Sequence, residues 1–556
     1  MKRSSFSIFL ATLLFISLGS WLAPALNAGE QDYYQRLKQS WVNMQKVFET
    51  LNSHYMEELD PYALVKAGID GMLDHLDPYT VFIEEDGERR LKMITTGKYG
   101  GLGMEIGMKN KNITIITPMD NGPAKKAGIQ AGDIIRKING QDVTGWSTGK
   151  VSENLRGKIG GTVELTIERP GLDAPFTLTL TRAEIVIEDV RYAGYIAPGV
   201  GYISLGGFTD KAAREVKEAI KQLQAEGTLE KLILDLRGNP GGLLDAAVNI
   251  INLFVPAGEA VVSTRGFRES ENIFKTEHQP LLPDTPLAIL VNRGSASASE
   301  IVAGALQDLD RAVIIGPEPT FGKGLVQKVY TIDNATHTKL KITTAKYYIP
   351  SGRSIQKRDY ADDNEVIRLH DADSLLHNNK HNVYYTRNKR KVLDKGGIEP
   401  DIETARDSLN TFMIDLIRQH TFFNFTVDYH TRHDRWNGQI SDSLLMAFKS
   451  WMLSRDLEFT RAGATELSKL KKIIKREKLP QAETMLTRLE NALRKEPATQ
   501  FDENTDNIRR YLLLEMAEKY KGRKGRAEVA AFNDPVVDKA RDVLQRESYK
   551  KILAIK

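Results

Sequence analysis

The sequence predicts an α/β core preceded by a small glycine-rich β domain, with helical regions at both ends of the chain. Three observations carry that reading. Continuous apolar runs, Lys231-Leu232-Ile233-Leu234-Asp235-Leu236 and Leu287 to Asn292, are each followed by a helical pattern, as expected of parallel strands buried on both faces. Between Thr96 and Arg182 the texture changes to clustered glycines and short β-prone runs. After Arg406 it changes again, to apolar residues at helical spacing in a strongly charged background.

At 556 residues the chain exceeds what one hydrophobic core organises, so several domains are expected. The 77 basic residues nearly balance the 73 acidic ones, which argues against a protein that binds nucleic acid mainly by counterion release. No nucleic-acid partner is expected. With 0 cysteines, neither a disulfide nor a lipid anchor on cysteine is available, and stability must come from buried apolar surface.

Residues 1–28 have the layout of a secretory signal: Lys2 and Arg3, an apolar stretch from Ile8 to Leu22, then Ala23, Ala25 and Ala28 before a polar segment. The expectation is export, to a periplasmic location, with cleavage after Ala28. An uncleaved membrane anchor that leaves the rest of the chain outside the cytoplasm is the alternative, although the apolar run is short for a spanning helix.

Residues 29–95 read as helical. Trp41, Met44, Val47, Phe48 and Leu51 recur at three- and four-residue spacing, and Asp60-Pro61 opens a second helix because proline suits the first helical turn. A packing or dimerisation layer is the plain reading of this region.

Residues 96–182 contain Tyr99-Gly100-Gly101-Leu102-Gly103-Met104, β-prone runs at Ile113 to Thr117, Ile134 to Ile138 and Thr162 to Glu168, and the segment Gly122-Pro123-Ala124 through Gly132-Asp133-Ile134. These motifs, in this order, resemble a PDZ domain. Gly101, Leu102, Gly103 and Met104 can turn successive backbone N–H groups toward one point. Such a nest captures a C-terminal carboxylate while the peptide adds as a strand alongside Met104 to Gly107. Taken alone, the same glycines would also serve as a turn that holds a small barrel together.

Residues 183–405 carry the α/β pattern and the candidate chemistry. Ser295, Ser297 and Ser299 alternate between a buried strand and a helix, and Lys323 lies between Gly322 and Gly324 after the next strand-like run. A serine hydroxyl is a weak nucleophile until a base takes its proton, and a neutral lysine serves when burial lowers its pKa. A serine at a strand-to-helix junction also faces the free N–H groups and positive potential of the helix N-terminus. The turn Arg237-Gly238-Asn239-Pro240-Gly241-Gly242 places flexible glycines at the end of one parallel strand, so that Gly241 or Gly242 can aim an N–H at a developing oxyanion, with the Ala298 N–H as second donor. By itself this run is also an ordinary strand-to-helix turn. The polar stretch 357–396 reads as a surface excursion, and residues 406–556 as a helical region whose basic run Lys519 to Arg526 is a solvated segment.

Ser-Ala-Ser-Ala-Ser-Glu at 295–300, Thr320-Phe321-Gly322-Lys323-Gly324 with Gln327, the Leu-Arg-Gly-Asn-Pro-Gly-Gly run at 236–242 and the preceding PDZ motifs together resemble the C-terminal processing (tail-specific) serine peptidases. The resemblance covers about residues 40–403 and implies a crotonase-like α/β fold with the PDZ domain inserted near its start. It also implies that the middle serine, Ser297, is the nucleophile, Lys323 the general base and Gln327 the partner that orients the lysine. Gly316-Pro317-Glu318-Pro319-Thr320 is one residue longer than the usual family loop, and the residues after 403 fall outside the shared region.

The expected function is therefore an exported serine endopeptidase that recognises protein tails and cleaves them with a Ser-Lys dyad through an acyl-enzyme. Its expected partners are proteins with exposed, flexible C-termini, with room for a homo-oligomer or an adaptor protein. The rival class is a non-catalytic scaffold that binds tails. Ser354-Ile355-Gln356-Lys357 matches the short Ser-x-x-Lys pattern of penicillin-binding hydrolases without their companion motifs. His377 and His381 have the spacing of a metal pair, with Asp371 and Asp373 nearby, but lack the His-Glu-x-x-His core, and neither metal nor cofactor is expected.

Overall fold

The computed structural model describes residues 28–267, 270–358, 360, 382–394, 396–406, 409–460, 463–477, 479–493 and 496–555. The expected signal segment ahead of Ala28 and the histidine pair at 377 and 381 lie outside the described residues. The chain divides after Phe82 into two compact units.

In the first unit, helices Ala28–His54 and Pro61–Asp74 follow the predicted periodicity. The second begins as the sequence requires. Pro61 occupies the first turn, and the Asp60 carboxylate accepts from the N–H groups of Tyr62 (2.9 Å) and Ala63 (3.3 Å). The long helix leaves Leu37, Trp41 and Val47 exposed.

The second unit is built on a sheet of strand order Val190–Ala197, Val200–Leu205, Lys231–Asp235, Leu287–Leu290, Val313–Gly316, Ile402–Glu403. The first pair is antiparallel and the rest parallel, with Leu234 opposite Ile289 and Ile289 opposite Ile314. Because side chains alternate along a strand, Leu232 and Leu234 face one layer and Ile233 the other. Helices Ala212–Glu226, Leu244–Ile251 and Ala298–Asp308 cover the first face.

The opposite face is covered from the far end of the chain. Ala531, Val537, Ala540, Val543, Leu544, Tyr549 and Leu553 pack on Tyr202, Ile233, Leu290 and Ile315. The sequence reading closes the core at residue 405, whereas the last helices of the chain complete it. A parallel sheet needs cover on both faces, and the segment 183–405 supplies only one.

The small β domain has strand order Met104–Lys109, Asn112–Pro118, Ile134–Ile138, Thr162–Glu168, Phe176–Thr181, around Ile115, Val163 and Leu165. Its entry strand Lys98–Gly101 pairs with its exit strand Ala183–Val186, so the chain leaves the core and returns at one place. A second antiparallel sheet of the core joins Leu325–Asp333 to Thr338–Tyr348, and the latter to Ala260–Arg265.

The C-terminal helices enclose an aromatic cluster of Phe412, Phe422, Phe425, Phe448 and Phe501. The basic run after Lys519 is only in part the solvated segment that its charge suggests: Lys521, Arg523 and Lys524 are exposed, whereas Lys519 and Arg526 are half-buried. It lies in helix Thr505–Phe532, which breaks at Gly522 (φ 70°), and around the break it docks on the small β domain. Lys519 Nζ donates to the Ala131 carbonyl (2.6 Å), and Arg523 pairs with Glu105. Among the described residues no helix is long and apolar enough to cross a membrane.

Candidate active site

The three alternating serines have three different fates. Ser295 is fully buried; its hydroxyl donates to the Leu236 carbonyl (2.8 Å) and accepts from the Asn292 N–H. Ser299, also fully buried, donates to the Asn239 carbonyl (2.9 Å). Both hydroxyl protons are spent on tying the serine turn to the 236–242 loop. Ser297 alone is partly exposed, at the first turn of helix Ala298–Asp308.

Its backbone is unusual. Ser297 has φ 54° and ψ −114°, a conformation that costs a non-glycine residue on the order of 1–3 kcal/mol and persists only where the surroundings impose it. Those surroundings are a fully buried carboxylate and a fully buried tyrosine. One oxygen of Glu300, Oε2, accepts from the N–H groups of both Ser297 (2.8 Å) and Lys323 (2.9 Å). The other, Oε1, accepts from the Thr320 hydroxyl (2.6 Å) and the Gly322 N–H (2.7 Å). Tyr347 OH reaches the carbonyl oxygens of Ser297 (3.2 Å) and Lys323. Serine turn and lysine loop are thus held together through their amides on one side and their carbonyls on the other. Burial pushes the Glu300 carboxyl upward from its usual range, opposed by the Thr320 hydroxyl and the three amide donors.

The lysine loop has further supports. Thr320 anchors its start through Thr320 N to Ile398 O (3.1 Å) and Ile398 N to Thr320 Oγ1 (2.7 Å), so the extra residue in 316–320 lies ahead of a fixed point. Gly322 (φ 88°) is required, because a Cβ there would stand 2.5 Å from Lys357 Cβ. The Ser354-x-x-Lys357 segment is not helical, so its serine and lysine lack the shared face that this spacing would give on a helix. It braces the loop instead: Lys357 N donates to Gly322 O (3.0 Å), and Gln356 Oε1 accepts from Gly324 N (2.6 Å). Gln327 lies on strand Leu325–Asp333, and its amide donates to Leu325 O and Thr343 Oγ1, each at 3.3 Å.

The glycine turn approaches Ser297 closely. A Cβ on Gly241 (φ 96°) would stand 2.6 Å from Ala296 O, 2.8 Å from Ala298 N and 2.9 Å from Ser297 Cβ. The Gly241 N–H, however, is donated to Asn239 Oδ1 (2.9 Å). Of the two glycines left open by the sequence, Gly242 is the one whose N–H has no partner among the described residues, as is also true of Ala298. Asn239 is fully buried and organises this turn, accepting from Gly241 through its side chain and from Ala296 through its carbonyl.

Four family descriptions match the chain in order: "Activating protease CtpB N-terminal domain" over residues 23–87, "PDZ domain" over 90–168, "Peptidase family S41" over 199–366, and "Probable PDZ-protease, C-terminal helical domain" over 412–544. A carboxy-terminal-processing protease of Bartonella bacilliformis is 39% identical over 331 residues, covering 59% of this chain and 74% of that protein. The chain belongs to peptidase family S41. A probable CtpA-like serine protease of Staphylococcus aureus is 34% identical over 360 residues, covering 64% of this chain and 71% of its own length. The solved photosystem II D1 C-terminal processing protease is 30% identical, with a TM-score of 0.37, and covers 68% of this chain and 91% of that one. The S41 match spans the serine turn, the glycine turn and the lysine loop, and the small β domain is a PDZ domain.

In that domain the Leu102 carbonyl accepts from Ala124 N (2.9 Å) and the Gly103 carbonyl from Met119 N (2.8 Å), with Gly103 at φ 69°. The N–H groups of Leu102 and Gly103 have no partner among the described residues. Gly101 is the last residue of the entry strand, and Met104 opens the strand at the edge of the sheet. Sequence reasoning missed Glu300 and Tyr347 as parts of the site. For Glu300 a signal existed, since Ser297 to Glu300 has the capping-box spacing.

Proposed function

We propose that this S41 peptidase is an exported serine endopeptidase that captures protein C-termini in its PDZ domain and cleaves them with Ser297 and Lys323. The observation that carries the reading is the sorting of the serines. Ser295 and Ser299 have spent their hydroxyls, while Ser297 is followed by the Ala298 amide, which has no partner among the described residues, and its own N–H shares one carboxylate oxygen with that of Lys323.

In this mechanism the neutral Lys323 amine takes the Ser297 hydroxyl proton as Oγ attacks the scissile carbonyl carbon. The Gly242 and Ala298 N–H groups stabilise the resulting oxyanion, and Gln327 orients the lysine. The C–N bond breaks and Lys323 returns the proton to the leaving amine. Water then attacks the acyl-enzyme, giving its proton through Lys323 to Ser297 Oγ and releasing the new carboxylate. The PDZ edge strand from Met104 supplies the pairing partner for an extended tail, and the 101–104 turn supplies donors for its carboxylate. Signal cleavage after Ala28 would place the enzyme in the periplasm.

Ser297→Ala should abolish both cleavage of a model tail peptide and labelling by a fluorophosphonate, while Ser295→Ala and Ser299→Ala retain some of each. The parent rate should rise from neutral to alkaline pH as the lysine loses its proton. Parent protein that neither cleaves nor labels would favour a tail-binding scaffold.

A further inference from the structure

We infer that Asp534, carried by the C-terminal helices, is a positioning residue for the glycine turn that stabilises the oxyanion. The inference rests on the proposed role of Gly242 and concerns what holds it in place.

Arg237 opens the turn 237–242 and is held on two sides. Toward the sheet, its Nε and Nη2 donate to the buried Asp235 carboxylate (3.0 and 2.6 Å), which also accepts the Arg237 N–H (2.9 Å) and the Tyr202 hydroxyl (2.7 Å). Away from it, Nη1 donates to Asp534 Oδ2 (2.7 Å). The Arg237 and Asp534 side chains are 20% and 12% exposed, so this pair is largely out of water and weakly screened. Asp534 is itself fixed, because its Oδ1 caps helix Pro535–Val543 by accepting from Val536 N (2.8 Å).

One guanidinium therefore joins the strand end, the start of the oxyanion turn and the helix that covers the second face of the sheet. Just beyond it, Asn292 Oδ1 accepts from both Gly238 N and Gly294 N (2.9 Å each), linking this end of the turn to the segment that leads into Ser297. A lost anchor at Arg237 would let the Gly242 amide drift from the oxyanion position, where small misplacements reduce the rate steeply.

Asp534→Asn and Asp534→Ser each keep a capping oxygen and remove the charge. On a model tail peptide, kcat should fall about 10-fold with KM unchanged, and Asp534→Glu should restore most of it. Asp538→Asn, an exposed acid on the same helix paired with Arg541, should keep the parent kcat. Parent-like kcat in both uncharged variants, at a temperature where circular dichroism shows them folded, would overturn the inference. So would a loss confined to KM, or one that Asp534→Glu shares in full. Parent enzyme that neither cleaves nor labels at Ser297 would instead overturn the proposed function.

Discussion

The serine turn and the lysine loop are tied together by a carboxylate that never meets solvent. Glu300 accepts four hydrogen bonds, two of them from the amides of Ser297 and Lys323 on one oxygen. Glu300→Gln preserves its volume but turns an NH2 group toward donors. At least one buried N–H then loses its acceptor, at about 1–3 kcal/mol each. The expected outcome is a lower melting temperature and a fall in kcat much larger than any change in KM. Wild-type kcat in that variant would show that the clamp is dispensable. The capping-box spacing made part of this role legible. What it could not reveal is the reach of Glu300 to Thr320, Gly322 and Lys323, because that depends on how the next strand returns to the sheet. Tyr347 was hidden for the same reason: on its own strand it reads as one β-prone aromatic among several.

At the scale of elements, the helix broken at Gly522 shows how a charge run misleads. Lys519 to Arg526 looks solvated in sequence because its partners, Glu105 and Ala131, lie in a domain several hundred residues upstream. Burial lowers the Lys519 ammonium to about 8, from an ordinary value of 10.5. The sign follows from linkage. Between about 8 and 10.5 the unfolded chain binds a proton that the folded protein does not, so this group adds stability as pH rises through that window. Below it the folded protein carries a buried charge. Lys519→Met removes the titration, and its melting temperature relative to the parent should be highest near pH 7 and decline toward pH 10. A difference independent of pH would mean that Lys519 does not titrate in that range. The strands at 231 and 287 were legible from their apolar runs. Asn272–Lys275 was not, since four residues with Ile273 half exposed offer no pattern to read.

For the whole molecule, the order of helical region, glycine-rich β domain, α/β core and helical region was readable from texture, and the resemblance of its motifs named the β domain as a PDZ domain, but the boundaries of stability were not readable. The sheet is finished by residues after 530, so a chain that ends at 405 would expose Tyr202, Ile233, Leu290 and Ile315 along one face. Each such side chain forfeits roughly 1.5–3 kcal/mol of burial. That fragment should bind a hydrophobic dye and lack near-ultraviolet circular dichroism. A sharp cooperative melt from it would refute the dependence. Val537, Ala540, Val543 and Leu544 have helical spacing, but over so short a stretch the spacing does not say what the face packs against. The pairing of Lys98–Gly101 with Ala183–Val186 has a different implication. Because the recognition module enters and leaves through a single doorway, it is a cassette. A homologous module with another tail preference, spliced at that doorway and keeping an acid where Glu105 stands, would redirect the protease to new clients while its cutting machinery stayed the same.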